Sequence, residues 1–218
     1  MWRADLPAAL RAGRARRLAA MLPEADLARC ERYRRPGARA RALAARAALR
    51  GVLGACLEMD PRRVPLLEGR GKPRLAGELG GELEFSLSHS GGLALLAVGR
   101  GVRVGVDVEK LRPVPFLDDV VGRFFGEEER KEVWCLRGAA RRRAYFRLWT
   151  RREAAAKALG LGILEFLRRC PQWAPQQGGE AWQLVDLRAA RGYAGALCRE
   201  GQAALTGFWI WREPRLSS

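Results

Sequence analysis

The sequence predicts an α+β fold built from two similar halves, and three observations carry that prediction. Stretches with apolar residues recurring every three or four positions occur beside stretches of strict period-2 alternation, so helices and half-buried strands are both expected. Their order is long helix, Gly-rich loop and strands, and then the same order again. Hydrophobic residues make up 48% of 218 residues, enough for a substantial core, and the only joint between the halves is the short rigid Arg112-Pro113-Val114-Pro115. Two halves packed in this way leave a cleft, a usual place for a ligand.

Taken in order, Trp2 to Leu6 is a short opening segment, and residues 39–60 form a helix stopped by Asp60-Pro61. Gly- and Pro-rich sequence follows. Residues 83–109 alternate as a three-stranded meander with turns at Ser90-Gly91-Gly92 and Gly99-Arg100-Gly101. Residues 126–138 and 141–162 are helical, the second closed by Gly160 or Gly162. Three strands, at 181–187, 193–199 and 204–212, end the pattern. The halves divide at 1–103 and 104–218.

Composition excludes several classes. The longest apolar run, Leu93 to Val98, is strand-sized and far short of the roughly 20 residues a membrane helix needs. The Arg-rich first residues lack a secretory apolar region and are read as mature protein. Five scattered cysteines without a CxxC pair indicate neither a zinc site nor a disulfide framework, and point to reducing cytoplasm. A single histidine, His89, and no G-x-S-x-G argue against a Ser-His-Asp hydrolase. The net charge of +16 implies an anionic partner. Nucleic acid fits that charge and the seven tryptophans, but the basic residues run through predicted core helices and no nucleic-acid motif occurs. With 36 Arg and 4 Lys, the positions that keep lysine stand out.

Four stretches could carry chemistry. In VGVDVE, Asp107 and Glu109 share one strand face roughly 6.6 to 6.8 Å apart at Cα. Such a pair is either a solvated face or a cation site. Trp149, Glu153 and Lys157 line one helix face at i, i+4 and i+8, where Glu and Lys make an ordinary stabilising pair or part of a site. SLSHSGG (86–92) is either a polar turn or a phosphate cradle, and GRGKPRL (69–75) a loop or a nucleotide shelf. Together, three carboxylates and a bound phosphate suit Mg²⁺.

The motifs G-K-P, F-S-x-S-H-S-G, V-G-V-D-V-E, R-F-F-x-x-E-E and W-T-x-R-E-A-x-x-K, in this order, resemble the 4′-phosphopantetheinyl transferases of the two-lobed class, typified by the activator of surfactin synthetase. The resemblance implies a pseudo-twofold monomer that binds coenzyme A between its lobes. It would transfer the phosphopantetheine arm to a serine of an acidic carrier protein of fatty-acid, polyketide or non-ribosomal peptide synthesis, releasing 3′,5′-ADP. It implies Asp107, Glu109 and Glu153 as Mg²⁺ ligands, Lys157 at the pyrophosphate, and Ser88 and His89 at phosphate positions. Gly71, Lys72 and Pro73 would lie beside the adenine, and Arg41 and Arg29 at the 3′-phosphate. Glu153 or Glu129 would be the base, and neither a nucleic acid nor a membrane is an expected partner. The sequence departs from the family in Arg152, where a lysine is usual, and in Asp26, where a basic residue is usual. A Mg²⁺-dependent nucleotide-binding regulator without catalysis is the remaining alternative.

Overall fold

The computed structural model describes residues 1–6, 14–69, 72–170, 182–201 and 207–212. The fold is mixed α and β, as expected. Strands β1 (Trp2–Asp5), β4 (Leu83–Ser90), β5 (Leu93–Arg100) and β9 (Trp209–Trp211) form one sheet in the order β4-β5-β1-β9. A second sheet has β6 (Val104–Lys110), β7 (Trp182–Asp186) and β8 (Tyr193–Glu200) in the order β6-β8-β7. β2 (Leu66–Leu67) and β3 (Arg74–Leu75) make a small separate ribbon. In both main sheets the first strand pairs antiparallel with the second strand of a later hairpin, β1 with β5 and β6 with β8.

The helices are α1 (Arg14–Ala20), α2 (Glu24–Glu31), α3 (Pro36–Leu57), α4 (Leu79–Glu82), α5 (Leu117–Phe124), α6 (Glu127–Trp134), α7 (Gly138–Ala158) and α8 (Ile163–Arg169). Three apolar interfaces order the layers. Leu49, Val52 and Leu53 of α3 pack on Phe85 and Leu96 of the first sheet. The opposite face of that sheet, with Leu93, Leu95 and Ala97, meets Val104, Val106 and Val108 of β6. Beyond the second sheet, Ala196 and Cys198 pack on Ala154, Ala155 and Ala158 of α7 and Phe166 of α8. Helix, sheet, sheet and helix therefore stack in sequence. No described helix is long and apolar enough to cross a membrane.

Two expectations need correction. The meander does not form, because β1 takes the free edge of β5, so β6 joins the second sheet instead. Helix α3 begins at Pro36, whose fixed φ suits the first turn, and ends at Leu57, where Glu58 turns left-handed with φ of 53° and returns its N–H region to Gly54. The last strand lies within 104–218 yet adds parallel to β1, pairing Trp2 with Trp209.

Candidate active site

The two sheets meet along a seam that places the acidic strand. β4 and β6 run parallel with a constant offset of 20 residues: Val106 N–H donates to Ser86 Oγ at 3.0 Å, Val108 N–H to Ser88 Oγ at 3.3 Å, and Lys110 N–H to Ser90 Oγ at 3.1 Å. Three serines at period 2 thus satisfy the edge amides of β6, which would otherwise be orphaned. The sequence reading singled out Ser88 alone; the repeat at 86, 88 and 90 was the available signal for the other two.

The other face of β6 looks at α7. A Cβ on Gly105 would stand 2.0 Å from the Ala154 carbonyl oxygen and 2.4 Å from the Ala158 nitrogen, so only glycine lets the helix come this close. That approach brings Glu153 and Lys157 over Asp107 and Glu109. Asp107 is 4% exposed. Its Oδ1 accepts from Lys157 Nζ at 2.7 Å and from Ser88 Oγ at 2.6 Å, while its Oδ2 is buried without a hydrogen-bond partner. Glu109 Oε2 accepts from Ser90 Oγ at 2.7 Å.

The electrostatics follow from this crowding. Burial first, and then the neighbouring Asp107, push the Glu109 carboxyl up, against the Ser90 hydrogen bond. Burial also pushes Glu153 up, opposed by Lys157 and reinforced by Asp107 and Glu109. The three carboxylates are within electrostatic reach of one another, although among the described residues no three such side chains converge closely enough to enclose an ion. Their chemistry nonetheless fits a hard cation: all donors are carboxylate oxygens, one is buried and unpartnered, and the two glutamates are raised chiefly by burial and also by their acidic neighbours.

His89 stands on the α3 face of β4, opposite the serines. Its side chain is exposed, but desolvation by the atoms around the ring, then the cations Lys157 and Arg41, hold its pKa below the usual histidine value. Arg41 in the first turns of α3, His89 on β4 and Lys157 on α7 are therefore three basic groups on three elements within reach of one another.

Other candidates are more firmly committed. Lys72 Nζ donates to Glu84 Oε2 at 2.8 Å and to the Val104 carbonyl at 3.1 Å, tying the loop beside Pro73 to both sheets. Gly71 lies outside the described residues. Glu129 Oε2 accepts the Gly126 N–H at 2.9 Å and pairs with Arg152, whose guanidinium lies over the Phe125 ring. Arg29 on α2 is 3.3 Å from Glu68. Glu68 also pairs with Arg46, and Arg46 lies 2.8 Å from Asp26. Asp26 is buried and binds Arg50 as well, so it serves as an internal counter-charge joining α2 to α3. The Cys198 thiol is buried and pushed up to about 12, which leaves it inert.

Comparison with known proteins identifies the family. A family model described as the 4′-phosphopantetheinyl transferase superfamily matches residues 103–198, the span from β6 to β8. The 4′-phosphopantetheinyl transferase HetI of Nostoc sp. is 36% identical over 199 residues, covering 88% of this chain and 84% of the relative. AcpT of Salmonella typhimurium, also a 4′-phosphopantetheinyl transferase, is 31% identical over 118 residues, 54% of this chain and 51% of its own. A phosphopantetheinyl transferase of Thraustochytrium sp. is 29% identical over 187 residues, 80% of this chain and 64% of its own. With a relative this similar along most of both lengths, and with the acidic strand and its facing helix inside the matched span, the chain belongs to the 4′-phosphopantetheinyl transferase superfamily.

Proposed function

We propose that the chain transfers the 4′-phosphopantetheine arm of coenzyme A to a serine of an acidic carrier protein, in a Mg²⁺-dependent reaction that releases 3′,5′-ADP. The observation that carries this reading is the buried, unpartnered Oδ2 of Asp107, flanked by Glu109, Glu153 and Lys157, with His89 of β4 within electrostatic reach of both Lys157 and Arg41 of α3. A buried carboxylate oxygen without a donor is costly unless a ligand completes it.

Asp107, Glu109 and Glu153 would hold the Mg²⁺, which when bound neutralises pyrophosphate charge and polarises the phosphorus under attack. Lys157, Arg41 and His89 bind the phosphates, with Arg41 and His89 toward the 3′-phosphate. Arg29 lies on the adjoining helix α2, with Lys72 and Pro73 at the neighbouring loop. Glu153, kept more basic than an exposed glutamate by burial, accepts the proton of the attacking serine hydroxyl. The serine Oγ–P bond forms as the P–O bond to 3′,5′-ADP breaks. Glu129 is less available for this step, because a helix cap and Arg152 occupy its carboxylate. Ser88, expected at a phosphate, faces Asp107 instead and acts through it.

The matching strand orders of the two main sheets support reading the molecule as a pseudo-twofold monomer of two lobes, dividing near 103 and 104, with the last strand returning to the first lobe. The test is transfer from coenzyme A to an apo carrier. Asp107→Ala should abolish Mg²⁺-dependent transfer, and an Ala variant with near-normal turnover at low Mg²⁺ would remove the metal assignment. Glu153→Gln should lower kcat by roughly 100-fold or more with little change in coenzyme A affinity, the scale of a lost general base. Equal losses in rate and affinity would make Glu153 a ligand only.

A further inference from the structure

Among the described residues, the serines at 86, 88 and 90 fall inside the F-S-x-S-H-S-G motif, but the motif does not say what their three hydroxyls do along the seam with β6. Each of its hydroxyls accepts an amide of β6, but only two of them also donate. Ser88 gives its proton to Asp107 Oδ1 and Ser90 gives its proton to Glu109 Oε2. Ser86 accepts the Val106 N–H at 3.0 Å and has no carboxylate opposite it, since the β6 residue on that side is Gly105.

A serine hydroxyl has one proton and two lone pairs, so accepting the amide fixes the oxygen while donation fixes the carboxylate. The consequence is geometric. With Oδ1 held by Ser88 and Lys157, Asp107 turns its other oxygen inward, and with Oε2 held by Ser90, Glu109 is left to present Oε1. The two carboxylates are carried by one sheet, yet a strand of the other bonds one oxygen of each, with Lys157 of α7 sharing that of Asp107. We infer that Ser88 and Ser90 are positioning residues for the carboxylate pair, and that they act toward the cation through Asp107 and Glu109 without touching it. The inference rests on the metal reading above. It also explains why a polar period-2 run occupies the strand edge at the seam, where valine or threonine would ordinarily favour a strand.

Ser90 is the informative position because it is half-buried at the end of the seam, where its loss perturbs packing least. The experiment is Mn²⁺ titration of the full chain, followed by disappearance of the free-ion spectroscopic signal, with coenzyme A at one fixed concentration in every arm. The arms are wild type, Ser90→Ala, Ser90→Thr, Ser86→Ala and Asp107→Ala, each with its Tm. Partners that orient metal ligands typically contribute 10- to 100-fold in metal affinity, so Ser90→Ala should weaken Mn²⁺ binding by about 10-fold. Ser90→Thr, which keeps the hydroxyl, should stay within about threefold of wild type. Ser86→Ala should lower Tm but leave Mn²⁺ affinity unchanged, because it loses a seam bond and no carboxylate contact.

Ser90→Ala binding Mn²⁺ like wild type would overturn the positioning role and leave the metal reading standing. An equal loss in Ser86→Ala would also overturn it, by assigning the effect to the seam as a whole. Wild type binding no better than Asp107→Ala would remove the metal reading, and this inference with it.

Discussion

At the scale of the residue, His89 gives the clearest pH signature. Its pKa in the folded chain lies below the ordinary 6.5, chiefly through desolvation by the atoms around the ring and then through Lys157 and Arg41. A depressed folded pKa means the stability it contributes is present above the unfolded value and is lost as pH falls through the folded one. A phosphate anion beside the ring favours the imidazolium, so ligand binding takes up a proton. Coenzyme A affinity of wild type should therefore rise as pH falls from about 8 toward 5, while Tm without ligand declines, and His89→Gln should flatten both trends. Calorimetric titrations in two buffers of different ionisation heat would reveal the proton uptake; identical apparent enthalpies would contradict it. Asp107, Glu109, Glu153 and Lys157 were legible in sequence because strand and helix periods place such residues on one face. The partners of Ser86, Ser88 and Ser90 were not, since a bond between residues 20 apart across two sheets leaves no local period. Asp26 misled for the same reason: standing where a cation was expected, it is the buried counter-ion of two arginines on another helix.

At the scale of the element, the closeness of α7 to β6 decides whether the site exists. Gly105→Ala would press a methyl group onto helix backbone that cannot rotate aside, the costly end of overpacking, so about 3 kcal/mol or roughly 6 to 12 °C in Tm should be lost. Activity should fall further than stability alone explains, because α7 carries Glu153 and Lys157 outward with it. Thermal denaturation and transfer kinetics on one preparation would check this; an unchanged Tm would show that the helix can slide without cost. Sequence located the long helices well, since their apolar faces repeat over many turns. It missed α1, α2 and α8, which are seven or eight residues long and give the period little room to declare itself, whereas the equally short α6 was found within 126–138. The alternation of 83–109 identified strands correctly but not their partners, because strand pairing depends on which edges other segments have already taken.

For the whole molecule, the excess of 16 positive charges should govern encounter more than grip. Charge steering is screened over about 8 Å at physiological salt and about 3 Å at 1 M. Carrier-dependent kcat/KM should fall by more than tenfold from low to high salt, while coenzyme A affinity, which on the proposed reading depends on close contacts with the phosphates, should fall less. Flat carrier kinetics, or competition by duplex DNA equal to that of an acidic carrier, would assign the charge to another partner. The carrier's landing point should include Phe116, 78% exposed and held at a left-handed φ of 55°, so Phe116→Ala should raise KM for the carrier and leave coenzyme A affinity unchanged. The parallel pairing of β9 with β1, sealed by the Trp2 and Trp209 rings 4.9 Å apart, bears on how the chain reaches this state. The first sheet is completed by almost the last described residues, so during synthesis the N-terminal segment must wait, with β1 exposed along one edge, until the ribosome has delivered the rest. A contact spanning nearly the whole sequence also raises contact order, so the closure of β9 on β1 should be a late step in folding.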